Sequence, residues 1–98
     1  GTWRILYKDI QSITHDGKYS IFLVQGERKI RVRKTLKEIF EELMNYDFIW
    51  IDRGTICNLA FVECVHNGAI VMKNGDKFWI SRGKIKYFKQ LIQKYWGE

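Results

Sequence analysis

Phe61-Val62-Glu63-Cys64-Val65-His66-Asn67-Gly68-Ala69-Ile70-Val71-Met72-Lys73-Asn74-Gly75-Asp76-Lys77-Phe78-Trp79-Ile80 is the stretch whose reading decides the fold. Its two Asn-Gly pairs separate short segments rich in Val, Ile, Phe and Trp. Asn and Gly tolerate the positive φ that a tight hairpin turn demands, so strands are expected over residues 61–66, 69–73 and 77–80. The signal recurs upstream. Asp16-Gly17 separates residues 10–15 from 18–24, and Gln25-Gly26 separates the latter from 28–33. Residues 3–7 and 48–51 complete the expected strands, and turns at such short intervals point to a β-meander.

Two segments read as helix instead. Thr35-Leu36-Lys37-Glu38 is a capping box, in which Thr35 accepts from the Glu38 backbone while Glu38 reaches back. Leu36, Ile39, Phe40, Leu43 and Met44 then recur at helical spacing, with Asn45 placed to end the helix in a left-handed conformation. A second helix is expected from Ser81, as cap, to about Tyr95, on an apolar stripe of Ile85, Phe88, Leu91, Ile92 and Tyr95. Lys84, Lys86, Lys89 and Lys94 fall largely outside that stripe, and Gly83 moves the true start a residue or two later. The expected fold is therefore mainly β: several short antiparallel strands joined by hairpins, with one mid-chain helix and one C-terminal helix.

Ninety-eight residues suit one domain, and 46% hydrophobic residues suit a folded core. Gly1 in place of Met is what a domain excised from a longer protein would show. No apolar run approaches the roughly 18 residues of a membrane helix, and no charged-then-apolar leader is visible, so a cytoplasmic protein with no membrane partner is expected. Net charge is +6, unevenly spread. Arg28, Lys29, Arg31, Arg33, Lys34 and Lys37 form one basic cluster, and Lys73, Lys77, Arg82, Lys84, Lys86, Lys89 and Lys94 a second. Such asymmetry suits a polyanionic partner, because Lys and Arg release counterions condensed on phosphates. The plainer alternative is a soluble basic surface.

Nothing in the chain reads as catalytic machinery. Cys57 and Cys64 lack the spacing of a zinc site and read as reduced thiols, so no metal and no cofactor is expected. There is no GxSxG, P-loop or GxGxxG pattern. His15 beside Asp16 is the nearest approach to an acid/base pair, but neighbouring strand residues point to opposite faces. Neither an enzyme nor a small-molecule substrate is expected.

The run from Phe48 to Val62, with Trp50-Ile51-Asp52-Arg53 and Cys57-Asn58-Leu59 within it, resembles the signature of the LytTR family of DNA-binding domains. Met72-Lys73-Asn74-Gly75-Asp76-Lys77-Phe78-Trp79-Ile80-Ser81-Arg82 resembles that family's ending of strand, Asn-Gly turn, strand and Ser-Arg. Ile10-Gln11-Ser12-Ile13 and Thr35-Leu36-Lys37-Glu38 stand where the family has its second strand and helix start. In order and spacing the likeness runs from about Ile5 to Ile92.

The resemblance implies a single LytTR-like domain over residues 1–98, the sequence-specific output module of a bacterial two-component transcriptional response regulator. It implies double-stranded DNA as partner, read by loops between strands. The isolated piece is then monomeric, and the full-length protein dimeric on paired DNA sites. Lys18, Tyr19, Arg53 and Arg82 match the base-reading positions, and two arginines there fit guanine O6 and N7. Arg31, Arg33, Lys77, Lys84 and Lys86 are the implied phosphate contacts. Asp52 departs from the family, which commonly carries His there. It could orient Arg53, accept from a cytosine amino group, or repel phosphate.

Asn58 reads more simply as a turn cap than as a DNA contact. Trp50 and Trp79 read as core or sheet-face residues. A cation at Arg82 opposes the helix dipole, which favours a role beyond the surface. Two other functions compete: a β-rich protein-interaction domain, and a single-stranded nucleic-acid binder stacking bases on Tyr19, Phe22, Tyr46 and Phe78.

Overall fold

The computed structural model describes residues 2 and 4–97. It consists of two compact units, Gly1–Ala60 and Phe61–Glu98. In the first unit, β1 (Ile10–Asp16), β2 (Tyr19–Val24), β3 (Arg28–Val32), β4 (Phe48–Asp52) and β5 (Thr55–Asn58) form one antiparallel sheet in the order β3-β2-β1-β5-β4. Asp16 pairs with Tyr19, leaving Gly17 and Lys18 at the tip of the first hairpin, with Gly17 at φ +62°. The second hairpin reverses through Gly26 at φ +89° and Glu27 at φ 61°.

Helix α1 (Leu36–Glu42) starts where its capping box predicts. Glu38 N donates to Thr35 Oγ1 at 3.1 Å, and Thr35 N donates to Glu38 Oε1 at 3.4 Å. The helix sets Leu36 and Ile39, and its C-cap Leu43, into a core with Ile10, Ile13, Phe22, Val24, Phe48 and Ile56. Burying each such aliphatic side chain contributes roughly 1.5–3 kcal/mol, which is what holds the helix to the sheet.

Several expectations for this unit are corrected. Strand 3–7 does not form: Trp3 lies outside the described residues, Arg4–Leu6 carry no regular structure, and Tyr7–Asp9 is a 3-10 turn. Ile5, Leu6 and Tyr7 are consecutive apolar residues without the alternation of a half-buried strand, and Ile5 packs against the core of the first unit instead. Conversely β5 lies outside the expected strands, because the reversal at Arg53-Gly54 carries no Asn-Gly or Asp-Gly mark. The first helix ends at Leu43, with φ −97° and ψ 4°, so Asn45 provides no left-handed stop. Met44, placed on the apolar stripe by spacing, falls after that end and is 68% exposed.

In the second unit β6 (Val62–His66), β7 (Ala69–Met72) and β8 (Lys77–Trp79) form a three-stranded antiparallel sheet in chain order. His66 pairs with Ala69, and the intervening Asn67 and Gly68 have φ 49° and 78°, the paired positive values of a tight hairpin. Gly75 has φ +96°, and Asn74 Oδ1 accepts from Asp76 N at 2.8 Å. A 3-10 turn at Arg82–Lys84 leads into α2 (Ile85–Tyr95). Ser81 makes no side-chain cap, and regular α-helix begins only after Gly83. Phe88 and Ile92 are buried, Ile85 and Leu91 half-buried, whereas Tyr95 is 38% exposed at the last turn of the expected stripe.

Candidate nucleic-acid interface

Pairing of β1 with β5 matches Thr14 to Thr55, and the His15 N–H donates to Gly54 O at 3.4 Å. The β1–β2 and β4–β5 turns therefore emerge at the same end of the first sheet. Their centres are two strand spacings apart, roughly 10 Å. β3 ends at this same end, since Val32 pairs with Ser20 and Ser20 Oγ donates to Lys34 O at 2.7 Å. Lys18, Tyr19, Arg31, Arg33 and Arg53, far apart in the chain, are thus gathered along one sheet end.

Their surroundings differ. Lys18, Arg33 and Arg53 are exposed and have no hydrogen-bond or ion-pair partner among the described residues. Arg31 lies with its guanidinium carbon 3.9 Å from the centre of the Tyr19 ring and Nη2 3.7 Å from Asp16 Oδ2. One face of the half-buried Tyr19 ring is thus taken by Arg31, and the two behave as one stacked group. Lys34 donates to Glu42 Oε1 at 2.8 Å, and this bond raises the ammonium pKa above its ordinary value.

Asp52 takes a role outside the three considered. Its Oδ1 accepts from Gly54 N at 2.9 Å, closing the β4–β5 turn on itself. The carboxylate holds the turn that carries Arg53 instead of pairing with Arg53. A register shift between Trp50 and Asp52 adds to the local twist.

Asn58 is structural, as its position suggested. Its buried side chain donates to Ile10 O at 2.9 Å and accepts from Ala60 N at 2.9 Å, tying β5 to the start of β1. Trp50 is half-buried and stacks at 5.1 Å from Phe40, and Trp79 lies 69% exposed on β8. Burial pushes the Cys57 thiol up to about 12, so it stays protonated and inert. Phe22 is buried, Phe78 half-buried, and Tyr46 sits edge-on to Tyr7 at 4.8 Å. With Tyr19 covered by Arg31, these four aromatics do not form a strand-face platform for stacked bases.

In the second unit Arg82, Lys84 and Lys86 occupy the 3-10 turn and the first turn of α2, all exposed and without a partner among the described residues. No acid lies in the first turn of α2. Cations at a helix N-terminus oppose the macrodipole at a cost of about 0.3–1 kcal/mol each, and a bound anion reverses the sign. Lys77 does not join them. It opens β8 beside the Asn74-Gly75 turn, whereas Arg82 follows the strand's other end, where Ile80 N donates to Gly68 O. Over residues 61–97 the only acids are Glu63 and Asp76.

Among the described residues no three of His, Cys, Asp and Glu gather to hold a metal ion, and no helix is long and apolar enough to cross a membrane. The molecule is of a definite class: a small, basic, mainly-β module whose unpaired cations sit on turns and at a helix start. The model of the LytTr DNA-binding domain family matches residues 1–93, and the chain belongs to that family. A similar solved structure is the LytTr DNA-binding domain of a protein described as a methyl-accepting/DNA response regulator from Bacillus cereus. It superposes with a TM-score of 0.71 over 90% of this chain and 84% of that one, at 18% identity, a likeness of fold. No curated protein sequence matches the chain.

Proposed function

We propose that this chain reads duplex DNA sequence-specifically, as the cytoplasmic output domain of a bacterial two-component transcriptional regulator. The observation that carries the reading is the state of Arg53. It stands exposed and unpaired at a sheet end, on a turn whose neighbouring carboxylate is occupied by Gly54 N–H. A guanidinium so placed is free to bond guanine O6 and N7 together. Arg82 has the same freedom in the second unit and is assigned the same task. Lys18 and the Tyr19–Arg31 stack border the first reading turn, while Arg33, Lys77, Lys84 and Lys86 hold phosphates. The domain alone is monomeric, and two copies in the full-length regulator occupy paired sites.

Selection of bound fragments from random duplex, followed by titration of the selected site and a scrambled one, tests this. A selected site bound at least about a thousandfold tighter than the scrambled one is expected, the lower end of the usual specificity range. Equal affinity for both would refute sequence reading, and tighter binding to single strands would favour a different class of binder.

A further inference from the structure

Gly54 has no positive φ, so the backbone does not explain a glycine there. Its neighbourhood does. A Cβ at this position would stand 2.8 Å from His15 Cδ2 and 3.2 Å from His15 Nε2. The missing side chain makes room for the imidazole, which lies against the β4–β5 turn while its own strand leads into the β1–β2 turn. The ring is exposed and its nitrogens have no hydrogen-bond partner among the described residues.

The ionisable groups on the bordering elements are Asp16 on β1, Lys18 in its turn, Tyr19 on β2, and Asp52 and Arg53 at the β4–β5 turn. Both acids are engaged, Asp16 with Arg31 of β3 at 3.7 Å and Asp52 with Gly54 N at 2.9 Å. The cations Lys18 and Arg53 are not. Beside the Asp52 carboxylate, whose charge the Gly54 N–H does not neutralise, the junction thus offers an anion two cations without partners among the described residues and an unoccupied N–H donor.

We propose that His15 is a further DNA-binding residue, its imidazole donating to a backbone phosphate between the two turns. The inference rests on duplex binding as proposed above. Neutral imidazole has one donor and imidazolium two, so phosphate binding favours the protonated ring. Histidine is the side chain that changes charge between about pH 5 and 8, and His66 is the only other one in the chain.

The test is the salt dependence of duplex binding by the whole chain at about pH 6 and about pH 8. Each additional phosphate neutralised steepens the log–log slope by about 0.9, so the wild-type slope should be steeper at the lower pH by up to that amount. His15→Gln and His15→Phe should give the same slope at both, and His66→Gln should keep the wild-type difference. Gly54→Ala, which displaces the ring, should lose the difference while His15 remains. A wild-type slope that ignores pH, or a pH difference that survives His15→Gln, overturns the proposal. Neither result touches the reading of duplex binding, which stands or falls on wild-type affinity at the higher pH.

Discussion

Replacing Arg53 with Ala separates reading from holding in a single side chain. Arg53 is exposed and has no partner among the described residues, so its removal should leave stability within about 0.5 kcal/mol of wild type. The turn is closed by Asp52 Oδ1 and Gly54 N at 2.9 Å, a bond that Arg53 takes no part in, so its shape survives the substitution. What disappears is one bidentate contact to guanine, worth about 1–3 kcal/mol of discrimination. At 1.4 kcal/mol per factor of ten, the preferred site should weaken by roughly 5- to 150-fold. A scrambled duplex should be bound nearly as before, because phosphate contacts elsewhere carry that affinity. Fluorescence anisotropy titrations against both duplexes, with thermal unfolding as the control, give all three numbers. Equal weakening on both duplexes with stability unchanged would make Arg53 a phosphate contact and refute its assignment as a reader.

Lys84→Ala and Lys86→Ala should weaken preferred and scrambled sites alike and lower the salt slope by about one each; a selective loss on the preferred site would show that they touch bases. Leu43→Ala and Phe88→Ala, at side chains 1% and 2% exposed, should cost about 2–5 kcal/mol in denaturant unfolding, against under about 0.5 for the exposed Lys89→Ala. Equal small effects at all three would mean that the helix faces are misassigned. Cys57, held protonated by burial with its pKa pushed up to about 12, should resist thiol reagents in a Cys64→Ser background at about pH 8 until denaturant opens the first unit. Rapid labelling of the native state would contradict its burial.

Much of the local structure is legible in the sequence, although Asn45 provides no left-handed stop and Ser81 no side-chain cap. The hairpin expected at Asp16-Gly17, whose tip lies one residue later at Gly17-Lys18, those at Asn67-Gly68 and Asn74-Gly75, the Thr35 capping box, and the delay of the second helix past Gly83 all follow from conformational preferences within a few residues. These features depend on φ, on caps and on short hydrogen bonds, which the residues themselves supply. The strand assignments depart from expectation at two places. Residues 4–7 join no sheet, and β5 forms without a strong turn signal because β1 offers it an edge over Ser12–Thr14.

The candidate site divides the same way. Composition alone placed cations in two clusters, and family likeness pointed to Arg53 and Arg82. That Arg31 covers Tyr19 and that His15 rests against Gly54 depend on contacts across strands, invisible to spacing, whereas the Asp52–Gly54 bond that closes the β4–β5 turn spans only two residues. Pairing of β1 with β5 brings residues about forty positions apart to one end of a sheet, through backbone hydrogen bonds that carry no residue-specific mark. The sequence by itself therefore determined the hairpin turns, the Thr35 cap and the charge. Only the tertiary structure decided which charges stand free and which are already spoken for, because an ion pair or a hydrogen bond is set by distance in space rather than along the chain.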